Sequence, residues 1–229
     1  VSGFQNPEIE LPRPQVVQAA NNILDLTSFT GDATTRVALW PFIALKQRVW
    51  LALEGQTTAG ATYRISLLDG VEITGAQISN GLSEVLLRSE LLKLGHATPL
   101  KVLCKVAFDG GTAQSAAIPF PALALTLRTR YDYLTPAITE VSDSRGQIPH
   151  DGSTFDKQVT VKGTATRGEN VALFDGTTPL GNANVSASGI WSTLLTGLTV
   201  KGYQITAAAL YDADPAVSQP RGFTVAQGV

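Results

Sequence analysis

The chain has 229 residues, a formal net charge of −2 and 44% hydrophobic residues, which is ordinary for a folded globular protein. Its 17 lysines and arginines are scattered, so no basic stripe exists to neutralise a phosphate backbone, and nucleic acid is not an expected partner. No apolar run approaches the ~20 residues that a membrane span needs, while the length suggests two domains of about 100 residues each.

Short apolar runs with period-two alternation, separated by Gly, Asp, Asn and Pro, predict an all-β chain. After an extended lead-in over residues 1–14, we predict eight strands in the first half: Gln15–Ala19, Ile23–Leu26, Thr35–Leu39, Arg48–Glu54, Thr62–Leu68, Leu82–Leu87, Leu100–Phe108 and Ala113–Leu127, the last broken near Pro119–Pro121. One short helix is predicted, with Ser89 as its cap, Glu90 at its positive end and Gly95 as its stop. Such a turn would cross from one sheet to the other.

The strand pattern breaks at Asp132–Pro136, so we predict two domains, residues 1–133 and 134–229. A linker this short implies a semi-rigid rod, and we expect the chain to be monomeric and to be an excerpt of a longer protein. The second half has six predicted strands, around Ile138–Val141, Val159–Val161, Val171–Leu173, Trp191–Leu195, Tyr203–Ala209 and Phe223–Val225. This approaches the seven strands of an immunoglobulin-like (Ig-like) β-sandwich, so the predicted fold is two such sandwiches in tandem.

The two halves share a faint internal similarity. Leu100–Asp109 and Tyr203–Asp212 are both long apolar stretches that end in an aromatic residue followed by Asp. The pairs Leu86–Leu87 and Leu194–Leu195 lie upstream of them in corresponding places. We therefore predict that both domains repeat one plan of strands, with chance similarity between two β domains as the alternative.

The second domain also resembles a known family, through a set of short motifs in a fixed order. The motifs are Ile138–Gly146, Val159–Ala165 with its Gly-Thr-Ala ending, Val171–Gly176, Ala187–Ser192 with its Gly-x-Trp, and Ile205–Ala209. Together they are similar to the bacterial Ig-like repeats of large Gram-negative surface and biofilm adhesins, over about residues 136–226. The resemblance implies a β-sandwich, secretion, repetition and a role in adhesion or display, and it carries over no functional residues.

The sequence offers little for catalysis. The two histidines, His96 and His150, fall in predicted loops of different domains, and no G-x-S-x-G elbow occurs, so a Ser-His-Asp site is not expected. Cys104 could pair with His96 as a thiol nucleophile, but the strand pattern puts Cys104 in or beside a sheet, where a thiol is usually inert packing. We predict no catalytic residues, no cofactor and no enzymatic activity, and an enzyme remains only a third hypothesis.

The sequence also offers little for metal binding. Zinc needs four close ligands, and no such cluster exists in the sequence. The acidic residues Glu140, Asp143, Asp151 and Asp156 fall near one loop end of the second domain, where calcium would need six to eight oxygens. Because no Asp-rich calcium loop is present, these side chains are interpreted as solvated loop carboxylates and no metal is predicted.

The tryptophans offer one candidate for ligand contact. Trp50 and Trp191 lie inside predicted strands, which favours core packing. Trp40 precedes Pro41-Phe42 in a predicted loop or strand edge, and it is the best candidate for an exposed contact. The predicted function is a non-catalytic spacer or adhesion module of a bacterial surface or extracellular protein, with neighbouring Ig-like domains as partners. The alternative is a carbohydrate- or protein-binding module of a secreted toxin or enzyme, whose partner would be a host or matrix glycan or protein.

Overall fold

The computed structural model describes residues 10–212 and 214–228, and strands account for 50% of it against 6% for helices. The chain divides into two compact units, one that ends at Arg130 and one that begins at Tyr131. We call them unit 1 and unit 2. Of the lead-in predicted over residues 1–14, residues 1–9 lie outside the described part of the chain. The predicted all-β fold, two Ig-like sandwiches with a short helical turn in the first, is confirmed.

Unit 1 is built from two sheets. Its strands are β1 (Gln15–Val16), β2 (Ile23–Asp25), β3 (Ala33–Val37), β4 (Arg48–Gln56), β5 (Thr62–Glu72), β6 (Leu82–Leu86), β7 (Thr98–Ala107), β8 (Ile118–Pro119) and β9 (Leu123–Arg128). One sheet has the order β1–β3–β6, and the other has the order β2–β9–β7–β4–β5, with β8 paired to β7. Neighbouring strands are antiparallel except β2 and β9, which run parallel.

The core of unit 1 forms where the inner faces of these sheets meet. On β4, the buried side chains of Val49, Leu51 and Leu53 alternate along the strand and pack into this core. Leu24 of β2 and Leu127 of β9 are fully buried in the same cluster, so the parallel pair also contributes to the core. Each such side chain contributes about 2 kcal/mol by its removal from water, and this burial holds the two sheets together.

A short helix, α2 (Arg88–Leu91), lies between β6 of one sheet and β7 of the other, as predicted for a crossing turn. Its cap differs from the prediction, because Ser89 lies inside the helix. The carboxylate of Asp32 accepts a hydrogen bond of 2.8 Å from the backbone N–H of Arg88 instead. The Arg88 guanidinium also donates to the carbonyls of Leu26 and Phe29, so residues distant in sequence fix the helix.

Two further short helical segments were not predicted. The helix α1 (Gly75–Asn80) follows Thr74, and the side chains of Thr74 and Gln77 form a reciprocal capping box. A single 3₁₀ turn, Gln114–Ala116, occupies the start of what the sequence suggested was a long strand. β8 and β9 follow it, so the predicted break near Pro119–Pro121 is present.

Unit 2 repeats the architecture with shorter connections. Its strands are β10 (Ala137–Asp143), β11 (Gly146–Gln147), β12 (Gly152–Thr154), β13 (Val159–Thr164), β14 (Asn170–Asp175), β15 (Thr178–Asn184), β16 (Ile190–Leu195), β17 (Lys201–Ala209) and β18 (Arg221–Val225). The sheet orders are β11–β10–β13–β16 and β12–β18–β17–β14–β15. Among the strands of the described residues of unit 2, only β12 and β18 pair in parallel.

The two units therefore share one strand plan. Without β8 and β11, both have a three-stranded sheet and a five-stranded sheet whose edge holds a parallel pair. The stretches that the sequence aligned occupy equivalent positions: β7 corresponds to β17, and β6 corresponds to β16. The internal repeat is thus a repeat of strand topology, and the sequence similarity between the two units is faint.

In unit 2, a single contact joins the glycine of the Gly-Thr-Ala motif to the tryptophan of the Gly-x-Trp motif. Gly163 of β13 lies directly across from Trp191 of β16, and Trp191 is 1% exposed. A Cβ at Gly163 would collide with the indole ring of Trp191 and with the carbonyl oxygen of Ala137. Because Gly163 has no side chain, the indole ring of Trp191 can enter the core of unit 2.

We expect Gly163→Ala to lower the free energy of unfolding of unit 2 by about 2 to 3 kcal/mol, because the new methyl group overpacks the core against Trp191. Hydrogen exchange of peptides from β13 and β17, followed by mass spectrometry in urea, measures this loss. Gly202→Ala is the matched control, since a Cβ on Gly202 meets its nearest atom, Oγ1 of Thr224, at 3.9 Å. Equal stability of the two variants would contradict the packing account.

Candidate functional site

The two histidines occupy loops of different units and both accept hydrogen bonds from the backbone. Nδ1 of His96 lies 3.2 Å from the amide nitrogen of Thr129 and 3.3 Å from that of Arg130. Nδ1 of His150 accepts a bond of 3.3 Å from the amide of Gly222. His96 therefore helps to position the residues that follow β9, and His150 helps to position β18.

The single thiol is buried within the sheet. Cys104 lies on β7 and is 1% exposed, in the core of unit 1. Burial raises the pKa of its thiol to about 12, so the thiolate is essentially absent at neutral pH. This environment is that of an inert packing cysteine rather than an activated nucleophile.

Trp40 does not occupy the exposed position that the sequence suggested. It is 3% exposed and packs edge-on against Phe120, with ring centroids 5.3 Å apart. Its indole nitrogen donates to Oε1 of Gln47 at 3.4 Å. The prediction of an exposed Trp40 is therefore wrong, because the loop turns its ring inward to fill the end of the core.

The exposed aromatic ring of this loop belongs to Phe42, which is 75% exposed. Its backbone has φ of 64°, a left-handed conformation that is unfavourable for a bulky residue. The carbonyl of Phe42 accepts a bond of 2.7 Å from Nε2 of Gln47, whose side chain also accepts the bond from Trp40. One buried glutamine thus fixes both the inward tryptophan and the outward phenylalanine.

Phe42 forms part of an apolar surface depression, which we call the Phe42 patch. It encloses about 380 Å³ and is lined by Leu11, Pro41, Phe42, Phe108 and Ile118. Exposed apolar groups at a loop end mark binding sites more often than isolated surface side chains do. The sequence contained the signal in Trp40-Pro41-Phe42, two aromatic rings around a proline, but it did not show which ring turns outward.

The other tryptophans are buried, as their place within strands suggested. Trp191 belongs to the core of unit 2. Trp50 is 5% exposed, but it packs with Ala107 and Ala117 in a small cluster separate from the main core of unit 1. Gly70 of β5 lies under its ring, where a Cβ would come within 3.2 Å. Trp50 is therefore covered by small residues on the other face of its sheet.

The four acidic residues considered for calcium do not converge. Both carboxylate oxygens of Asp143 accept hydrogen bonds, from the Thr154 hydroxyl at 2.6 Å and from the backbone N–H of Arg145 at 2.8 Å. The Thr154 bond holds the pKa of Asp143 below its ordinary value. A carboxylate oxygen of Asp156 accepts a bond of 2.8 Å from the backbone N–H of Ser144. Asp143 and Asp156 together therefore cap the loop at Ser144 and Arg145.

The remaining two carboxylates have other neighbours. Oε1 of Glu140 lies 3.0 Å from Nζ of Lys162, and this contact lowers the pKa of Glu140. Oδ2 of Asp151 lies 3.5 Å from Nε2 of His150. Within residues 10–212 and 214–228, no group of three or more His, Cys, Asp or Glu side chains could hold a metal ion. In the same residues, no helix is both long and apolar enough to span a membrane.

We predict that added calcium leaves the melting temperature unchanged, because the oxygens of Asp143 and Asp156 are engaged by protein donors that an ion would have to displace. Differential scanning calorimetry with calcium, with chelator and with magnesium as the control measures this. A rise in melting temperature with calcium that chelator reverses would show that these loops do form a site.

No known family profile matches the chain, and no curated protein matches it. It is similar to several solved structures. One is a biofilm-associated protein BSP domain, with 15% identity over 95% of this chain and 30% of that chain and a TM-score of 0.29. Another is a tetra-tandem repeat in the extending region of a large adhesion protein, with 16% identity over 93% of this chain and 50% of that chain and a TM-score of 0.33.

A third similarity is to the fibronectin(III)-like modules of CbhA from Clostridium thermocellum, with 15% identity over 97% of this chain and 93% of that chain and a TM-score of 0.27. The chain thus spans less than two thirds of the first two of these proteins. TM-scores at this level carry no argument about function, so the function has to be argued from the residues of this chain.

Proposed function

We propose that the chain is a non-catalytic structural module, a tandem Ig-like spacer within a larger bacterial surface or extracellular protein. Its function would be to transmit tension along the chain and to hold other domains apart. Its partners would be neighbouring Ig-like domains of the same protein. The motif resemblance of residues 136–226 supports the extracellular location.

One observation carries this proposal: in both units the groups capable of chemistry serve to hold the fold together. His96 and His150 accept backbone hydrogen bonds, Cys104 is core packing, and the carboxylates of Asp143 and Asp156 cap a loop. The repeated strand plan adds to this, because a spacer needs units that each fold around their own core. A structural role accounts for each of these features.

We expect the full chain, held by both ends in a single-molecule force experiment, to lengthen in two abrupt steps. Each unit has its own core, so each should resist force until it unfolds cooperatively and should refold when the force is lowered. The same chain in concentrated urea is the control, and it should lengthen smoothly. Smooth lengthening in buffer would contradict a load-bearing spacer.

A second candidate function is binding through the Phe42 patch. The observation that favours it is local strain: the chain holds a phenylalanine in a left-handed conformation and exposes three quarters of its surface. Such strain costs about 1 to 3 kcal/mol and is common at binding sites. The ligand would be a host or matrix glycan or protein that offers an apolar face.

If this second function exists, binding on a glycan or matrix-protein array should be lost with Phe42→Ala while the melting temperature is kept, because the ring is mostly outside the core. Leu194→Ala is the control, since it removes a side chain that is 56% exposed on unit 2. Trp40→Ala is unsuitable as a test because it would empty part of the core. Binding that survives Phe42→Ala would exclude the patch as the contact.

A further inference from the structure

The last strand of unit 1 is only partly covered along one of its edges. β9 pairs with β7 on one side and with β2 on the other, but β2 reaches it only at Thr126–Arg128. The strand begins earlier, at Leu123. Within the described residues, its first half, Leu123–Leu125, therefore has no strand beside it on the side of β2.

Alternation along β9 determines which backbone groups point to this open edge. The backbone N–H of Thr126 donates to the carbonyl of Asn22 at 2.9 Å, and the carbonyl of Arg128 accepts from the N–H of Leu26 at 2.8 Å, so both strand residues face β2. Every second residue of a strand presents its N–H and C=O to the same side, so Ala124 faces this edge as well. Among the described residues, neither backbone group of Ala124 has a hydrogen-bond partner there.

A tight turn explains why the chain leaves Ala124 uncovered. Asn21 and Asn22 have φ of 51° and 60°, the left-handed conformation that a two-residue type I′ turn needs and that asparagine tolerates. On either side of the turn, Ala20 and Ile23 exchange two backbone hydrogen bonds of 2.9 Å. The segment before β2 is therefore folded back on itself, and the backbone of Ala20 is not available to β9.

Unit 2 fills the equivalent position with its own chain. Gly222, like Ala124, is the second residue of the last strand of its unit. Its carbonyl accepts a bond of 2.9 Å from the backbone N–H of Asp151, and its amide donates to Nδ1 of His150 at 3.3 Å. This comparison indicates what the edge at Ala124 can hold, which is a passing chain segment that offers one donor and one acceptor.

The open edge borders an apolar cleft of about 430 Å³. Leu123 and Leu125, the neighbours of Ala124 in the strand, line it, and so do Val16 and Val17 from the region of β1. An uncovered strand edge is a template for pairing with another chain. When a peptide adds to such an edge, its backbone provides affinity, and pockets beside the edge select its alternate side chains.

The same cleft carries one positive charge. Of the described residues that line it, Arg36 is the charged one, and none is acidic. Arg36 is exposed and has no ion pair or hydrogen bond within the part of the chain that the structure describes. A guanidinium binds a carboxylate through two parallel hydrogen bonds. Charge complementarity therefore favours a segment with an acidic side chain over a neutral or basic one.

We propose that the open edge of β9 at Ala124 binds a short extended peptide segment of a partner protein, which adds as a strand and places an acidic side chain against Arg36. The segment bonds to the N–H and C=O of Ala124 as the chain of unit 2 bonds to Gly222. The site is separate from the Phe42 patch and does not depend on the spacer function, so the failure of one proposal leaves the other standing.

The probe for this site is a display library of short random peptides, selected on the full chain. We expect enriched peptides to alternate apolar and polar residues and to carry Asp or Glu, and we expect Ala124→Pro to abolish their binding. Proline removes the N–H of Ala124 but no hydrogen bond of the fold, since that group faces the open edge. A library that yields no binder, or only binders that tolerate Ala124→Pro, would overturn the proposal.

Hydrogen exchange by NMR reads the same contact without a substitution. In the free chain, the amide of Ala124 should exchange rapidly, and a saturating amount of a selected peptide should slow this exchange at least about tenfold. The amide of Leu125, which faces β7, is the internal control and should be protected in both states. A bound peptide that leaves the exchange of Ala124 unchanged would contradict the proposal.

The acidic preference is tested with Arg36→Gln. Loss of one partly exposed ion pair should weaken binding of the selected peptide about fivefold. Arg64→Gln is the matched control, because Arg64 lies on β5, at the opposite edge of the same sheet, and is paired with Glu54. Equal affinities of the two variants would overturn the assignment of an acidic ligand.

Two further results decide the remaining cases. If Ala124→Pro does not fold, as judged by circular dichroism, the exchange of the Ala124 amide and the affinity of Arg36→Gln test the site in a folded chain. Protection of Ala124 that rises with the concentration of the chain alone would assign the edge to a second copy, and it would overturn the proposed partner.

Discussion

The parallel pairing of β2 with β9 in unit 1, and of β12 with β18 in unit 2, is the contact on which both sandwiches depend. The chain starts each unit in one sheet, crosses, and pairs in the other sheet with the strand that ends the unit. This pairing places Leu24 and Leu127 in the core of unit 1 and Phe223 and Val225 in the core of unit 2. Without it, each five-stranded sheet would lose its edge strand, and the side of the core beneath that strand would be open to water.

Side chains that would signal chemistry in another protein serve this closure. His150 accepts from the last strand, and His96 accepts from the residues that follow the last strand of unit 1. Asp143 and Asp156 act as hydrogen-bond acceptors at the turns that flank β12. Where the chain departs from this pattern, at Phe42, it does so with a strained backbone and an exposed ring. The Phe42 patch, which is the proposed contact surface, therefore lies in unit 1 and is separate from these structural contacts.

The sequence could predict the strands whose side chains alternate, because burial of one face imposes period two. It could not predict β15, because its residues Thr178–Asn184 are mostly exposed, include a proline and a glycine, and show no alternation of apolar side chains; the strand forms by pairing with β14. The capping box of α1, formed by Thr74 and Gln77, is a local signal that the sequence carries. The cap of α2 comes from Asp32, 56 residues away, and leaves no local signal. Trp40 and Phe42 show the same limit: both rings are apolar, and only the tertiary bond of Gln47 decides which one is buried.

The central claim is that the parallel pairing of β12 with β18 opens only when the whole of unit 2 unfolds. Native-state hydrogen exchange by NMR tests it at two amides, those of Asp151 and Ala226, which bridge the segment around β12 and β18. The account predicts that their free energies of exchange equal the global unfolding free energy of unit 2 and fall with urea at the same slope. Exchange through small, urea-independent openings at these two amides, while β14 and β17 stay protected, would contradict it.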